Sequence, residues 1–176
     1  HSYLGPHMDQ HMREYFTVER TVQFLLDCER EGIDAHQFSM TDRTVEALRG
    51  ARERGSSMKF ICLHAGKGTV KGIVADTRPI AVSHHGGATD RLFAEGKSGE
   101  VRDFVKEAHD CGVLAGVSAH NPDCIKRIAD EGWEVDFFMA CFYFLTRKSP
   151  PGDAAKAPAI LPIDYNFYAS DPEAMT

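Results

Sequence analysis

A chain of 176 residues, 43% hydrophobic, with 20 Lys and Arg against 26 Asp and Glu and a net charge of −6, has the composition of an ordinary globular protein with one core. That balance excludes a basic footprint for nucleic acid or an anionic membrane surface, and no apolar run nears the ~18 residues of a spanning helix. With no leader pattern ahead of the first helical segment, the expectation is a soluble, cytoplasmic protein, and its five scattered cysteines read as small buried hydrophobes in a reducing compartment.

Residues 1–16, "HSYLGPHMDQHMREYF", carry His1, His7 and His11 among aromatics and read as an arm over a site or a cut end. Thr17 then caps a helix with Val18, Val22, Leu25 and Leu26 on one face and Gly32 as its stop, followed by "IDAHQF" as a strand. Val45 and Leu48 lie on a second helix ending at Gly55, before "MKFICLHA". A shorter helix around Val70–Val74 leads to "PIAVSHH", and Val101, Phe104, Val105 and Ala108 mark a helix stopped by Gly112 before "VLAGVSAH". In "NPDCIKRIADEG", Asn121 is the cap, Pro122 opens the helix, Ile125, Ile128 and Ala129 share a face and Gly132 stops it, before "VDFFMACFYFL". Residues 147–172 form a proline-rich loop of the kind that shapes or covers a site.

Helix alternating with near-continuous apolar strand predicts right-handed βαβ units and a parallel sheet buried on both faces, with Ile80, Val82, Leu114 and Val117 in the interior. No G-x-G-x-x-G follows the first strand, so the dinucleotide-binding open sheet lacks its fingerprint. The fold expected is α/β, a parallel (β/α) barrel of the TIM type over residues 1–176, incomplete at one or both ends because five visible strands fall short of eight. Open sheet edges in such a barrel predict either a homo-oligomer or poor solubility.

Polar residues gather at one end of these strands. Asp34 and His36 lie in the first, His64 ends the second, His84 and His85 the third, Ser118 and His120 the fourth, and Cys141 and Tyr143 the fifth. The carboxyl ends of parallel strands form the ligand mouth. Alternation groups Phe60, Cys62 and His64, then Ala81, Ser83 and His85, then Gly116, Ser118 and His120. If the small residues mark the inner face, His64, His85 and His120 converge. Three imidazoles either hold a divalent metal with an open position or act without one as acid–base and oxyanion groups. By the same parity His84 turns toward the helix layer or the following loop, bonded to a carbonyl or to a carboxylate such as Asp90. Gly86 and Gly87 let a loop leave sharply, Lys67 in "HAGKG" reaches an anionic or carbonyl oxygen, and Asp90 pairs with Arg91 on the surface.

The segment 114–145, "LAGVSAHNPDCIKRIADEGWEVDFFMACFYFL", resembles the aldo-keto reductase pattern of a strand ending G-V-S-N, a short N-P-started helix and a D-x-x-Q-x-x-Y strand. "GIDAHQFS" and "IAVSHH" resemble that family's strands ending in its catalytic aspartate and histidine, while "HHGGATDRL" resembles a divergent group of barrels close to the reductases and the sugar-isomerase-like barrels. The resemblance implies a (β/α)8 barrel and NAD(P)H, with Asp34 as the aspartate, His84 or His85 as the histidine, and Ser118 as the serine on the nicotinamide. It departs from the pattern elsewhere. The tyrosine acid falls near Phe38 and Ser39, the lysine at His64, the asparagine at Ala119, the glutamine near Met139 and the stacking tyrosine at Phe142 or Tyr143.

The function expected is therefore an enzyme acting on a small carbonyl or hydroxylated, sugar-like ligand. Its catalytic residues are His85, His84, His64, His120 and Asp34, and Lys67, Ser118, Tyr143, Gly86 and Gly87 bind substrate or cofactor. The alternatives are an NAD(P)H-dependent reductase and a non-catalytic binding protein on the same scaffold.

Overall fold

The computed structural model describes residues 6–66 and 68–140. Twelve elements follow in chain order: helices α1 (Pro6–Tyr15) and α2 (Val18–Arg30), strand β1 (Ala35–Ser39), α3 (Asp42–Glu53), β2 (Lys59–His64), α4 (Val70–Thr77), β3 (Ala81–His84), α5 (Gly86–Ala94), α6 (Ser98–Asp110), β4 (Leu114–Ala119), α7 (Pro122–Asp130) and β5 (Phe137–Ala140). The strands pair in sequence order, β1-β2-β3-β4-β5, every pair parallel, in a curled half-barrel sheet. A full eight-stranded barrel is not what these residues form. The arm expected over residues 1–16 contains α1, and the proline-rich loop at 147–172 lies outside the described residues.

The helix boundaries follow from local chemistry. Thr17, Thr41 and Thr69 accept N–H bonds from the third residue of the turn each one opens, and Asn121 accepts from Asp123 with Pro122 following. Gly32, Gly55, Gly112 and Gly132 take positive φ just past their helices, a conformation open to glycine without steric cost. Two elements escaped the sequence reading. α1 has too weak an apolar stripe to be separated from an arm, and "GGATDRLFA" forms α5 although its two leading glycines read as a loop.

The core lies between the outer face of the sheet and the helices. Phe38, Phe60, Cys62, Val82, Ala115 and Val117 point into it and meet Leu48, Ile73, Val101, Val105, Ala108 and Ile128. Each large side chain buried there is worth roughly 1.5–3 kcal/mol. Val82 and Val117 are interior as expected, but Ile80 is 41% exposed and Leu114 is 49% exposed. Ile80 precedes β3 at the amino end of the sheet, and Leu114 opens β4 on the concave side, which faces no second layer among the described residues.

On that concave face Gly116 pairs with Phe137, whose ring lies directly over it; a Cβ at Gly116 would fall inside the ring. Only glycine allows β5 to fold its aromatic side chain across β4. We therefore expect Gly116→Val to destabilise the protein by about 1–3 kcal/mol, read as a lower urea midpoint. Gly99→Ala, at a position with open space around it, is expected to shift stability by no more than about 0.5 kcal/mol.

Candidate active site

Register decides which histidines share a face. Residues opposite one another in a parallel pair point to the same side of the sheet. His64 pairs with His84, Cys62 with Val82, and His84 with Val117. Since Cys62, Val82 and Val117 are core residues, His64 and His84 both point outward into the helix layer. The expected convergence of His64 with His85 and His120 is corrected accordingly. The parity within β2 was right, but the face assigned to it was the wrong one, because the offset between neighbouring strands is not visible in one strand's alternation.

The outer pair packs on α6. His64 stacks on the Phe104 ring at 5.4 Å between centroids, and His84 meets the same ring edge-on at 5.0 Å. His64 Nε2 donates to the Gly68 carbonyl at 3.0 Å, leaving its buried Nδ1 without a partner among the described residues. The Thr89 hydroxyl links His84 Nδ1, at 2.8 Å, to the His85 carbonyl, at 3.2 Å. So His84 does face the helix layer, as parity required, but its partner is Thr89 and not Asp90. Burial, reinforced by the neighbouring His64, His85 and Arg91, pushes the His84 imidazole down to about 4.

The inner mouth is built from β3, α5 and β4. The strand stops at His84, and His85 becomes the N-cap of α5, its Nδ1 accepting the Gly87 N–H at 3.2 Å. Gly86 begins the helix against the end of β4. A Cβ there would lie 3.0 Å from Ser118 Oγ and 3.1 Å from His120 Cε1, so the backbone approaches His120 as closely as a missing side chain permits. Across this junction Asp90 of α5, its side chain fully buried, accepts from His120 Nδ1 at 2.7 Å and from the backbone N–H groups of His120 and Asn121 at 3.1–3.2 Å. Gly86 thus lies against His120, directly after the capping His85. Burial and the His120 charge lower the His85 imidazole below its ordinary range, and Asp90 opposes that shift.

Asp90 is the site residue that sequence reasoning assigned to the wrong partner. It lies on α5, four residues after Gly86, facing β4, while Arg91 on the next position pairs with Glu95 at the surface. Asp34 is a second correction. It precedes β1 at the amino end of the sheet, exposed, within 3.6 Å of Lys59 Nζ, at the opposite end from every mouth histidine. His36 points toward the helix layer, partnered in register with Phe60. Lys67 and Tyr143 lie outside the described residues. Ser83, on the inner face, is fully buried, with no hydrogen-bond partner for its Oγ among the described residues.

The expected metal triad and reductase quartet are not brought together at these positions. Among the described residues no three His, Cys, Asp or Glu side chains come together to hold a metal ion, since His64 stands across the sheet from His85 and His120. The reductase quartet is likewise not assembled: Asp34 is at the far end and His64 faces outward. Another Asp–His pair, His109 Nε2 to Asp136 Oδ2 at 2.8 Å, lies at the amino end, where Asp136 also accepts the Ala115 N–H at 2.7 Å and so fastens β4 to the turn before β5. In parallel barrels that end contributes stability while the carboxyl end carries chemistry.

No protein-family model, curated protein or solved structure matches the chain. No described helix is long and apolar enough to cross a membrane.

The outer pair yields a stability test. Burial pushes the folded His84 imidazole from the ordinary 6.5 down to about 4, so between those values the unfolded chain binds the extra proton. Stability attributable to this ring is fully present above pH ~6.5 and lost as pH falls to about 4, by roughly 3 kcal/mol. Urea unfolding between pH 4 and 7 should show that loss, and His84→Leu should flatten the slope over the same window.

Proposed function

We propose that the chain is an enzyme acting on a small carbonyl or hydroxylated compound by acid–base catalysis, at a mouth formed by His85, His120 and Asp90. One observation carries the reading: a fully buried carboxylate bonded to the ring of a histidine that is itself about one-third exposed, at the carboxyl ends of parallel strands. A carboxylate only accepts, so the His120 proton sits on Nδ1 and Nε2 becomes the basic nitrogen. Three N–H donors hold Asp90 in place, and the imidazole cannot rotate without breaking a charge-assisted bond. A member of the (β/α) barrels, divergent from the aldo-keto reductases, is the family reading that goes with this site; it rests on the "GVSAHNP" and "IAVSHH" segments.

His64, which both the metal triad and the reductase quartet would use, stands across the sheet from this mouth. Ser118 and the slim Gly86 backbone border the reacting position, with Gly87 turned onto the His85 ring, and they bind substrate rather than transform it.

The test is a panel of small aldehydes, ketones, sugars and lactones. On any compound that turns over, His120→Ala and Asp90→Asn should each lower kcat by about 10²–10⁴, with folding checked by circular dichroism. A loss below about threefold for His120→Ala, in a folded variant, would remove His120 from the chemistry.

A further inference from the structure

Away from the mouth, a cleft of about 570 Å³ opens between α6 and the segment that joins α7 to β5. Gly132 takes positive φ after α7 and turns the chain, so Trp133 folds onto Phe93, 6.1 Å between ring centroids, and forms one wall with Glu134. Helix α6 forms the other wall. At ~3.6 residues per turn, Val105, His109, Arg102 and Lys106 follow one another around α6 from the core outward, and Asp110 and Asp103 come next at the rim. The acids of this helix therefore stand outside its cations. Arg102 lies over the Trp133 ring at 5.8 Å, and His109 is fixed by Asp136 at 2.8 Å. Among the described residues neither Arg102 nor Lys106 makes a hydrogen bond or a close ion pair, and neither does Glu134 across the cleft. Both signs of charge face one cavity without neutralising each other.

We propose that this cleft binds an α-amino acid as its zwitterion, the carboxylate toward Arg102 and Lys106, the ammonium toward Glu134 and the side chain on the surface formed by Val105 and Trp133. Arginine and lysine only donate, which suits carboxylate oxygens, and the Glu134 carboxylate only accepts, which suits an ammonium. A plain anion would have to pass Asp103 and Asp110 at the rim, and a plain amine would meet the two cations inside. Like charges brought together oppose binding. A ligand that carries both signs pairs with each wall. The volume falls in the range of small-molecule sites, roughly 300–1,000 Å³. His109 and its partner Asp136 place the cleft at the amino end of β4, whereas Asp90 and His120 stand at the carboxyl end, so this site is independent of the acid–base reading.

The experiment titrates L-phenylalanine into the full chain. Trp133 is the chain's single tryptophan, so its emission reports on this cleft directly, and the heat of binding is measured in parallel. A saturable change with a dissociation constant of about 1 mM or tighter is expected. Phenylpropionate, which lacks the ammonium, and phenethylamine, which lacks the carboxylate, should each bind about tenfold more weakly or worse. Lys106→Gln and Glu134→Gln, both at exposed positions, should each cost L-phenylalanine about tenfold in affinity. Neither saturable heat nor a change in emission up to about 10 mM L-phenylalanine would overturn the proposal. So would phenylpropionate or phenethylamine binding as tightly as the amino acid, or full affinity in both variants.

Discussion

A buried carboxylate cannot be left short of donors, and Asp90 organises the carboxyl half of the molecule around that constraint. Its side chain has no solvent exposure, and an uncompensated charge there would cost several kcal/mol. The donors that satisfy it come from the last turn of chain before α7: the His120 N–H, the Asn121 N–H and the His120 ring. The Cys124 thiol, beside this carboxylate, is pushed up to about 11, chiefly by burial. One side chain of α5 thereby fixes where β4 ends, where α7 begins and how the His120 imidazole points. The candidate site and the packing of three elements are the same set of bonds.

That arrangement explains why glycine stands at Gly86. Asp90 can reach the β4–α7 junction only if the first turn of α5 lies against it, and there the Gly86 backbone meets Ser118 Oγ and the His120 ring at contact distance. A larger residue would push α5 outward and stretch every bond to Asp90. At the other end of β4 the same device recurs in a more exposed form, with Asp136 taking the Ala115 N–H and the His109 ring. Its hydrogen bonds, Ala115 first, lower the Asp136 carboxyl below its ordinary range. β4 is thus anchored by an aspartate at each end, one buried beside the mouth and one at the rim.

Much of the fold was legible because the signals were local. Caps such as Thr17 and Asn121, glycine stops such as Gly112, and apolar faces such as Val101–Phe104–Val105–Ala108 each specify an element without reference to the rest of the chain. The parallel βαβ order followed from their alternation. What could not be read was relative placement. The register that puts His64 opposite His84 depends on loop geometry between two strands, and it carried His64 to the other face. Asp34 looked like a strand residue because "IDAHQF" alternates well, yet the strand starts one residue later and Asp34 stays at the amino end. Asp90 was missed for a related reason: "GGATDR" reads as a loop, and only once it is a helix does Asp90 face β4 with Arg91 turned to solvent.

The adjacent histidines of "SHHGG" show how a strand end divides two identical side chains between two environments. His84, the last residue of β3, keeps strand parity and enters an apolar layer against Phe104, where desolvation disfavours charge. His85 leaves the strand by one residue and caps α5, so its ring is set by the Gly87 N–H and not by pleat alternation. Parity alone would have sent it to the inner face, whereas capping turns its ring onto Gly87. The outer ring is then bound into the core through Thr89, whose hydroxyl also touches the His85 carbonyl. Through that hydroxyl, the packing of a neutral imidazole under the helices helps hold the backbone of the one facing the mouth.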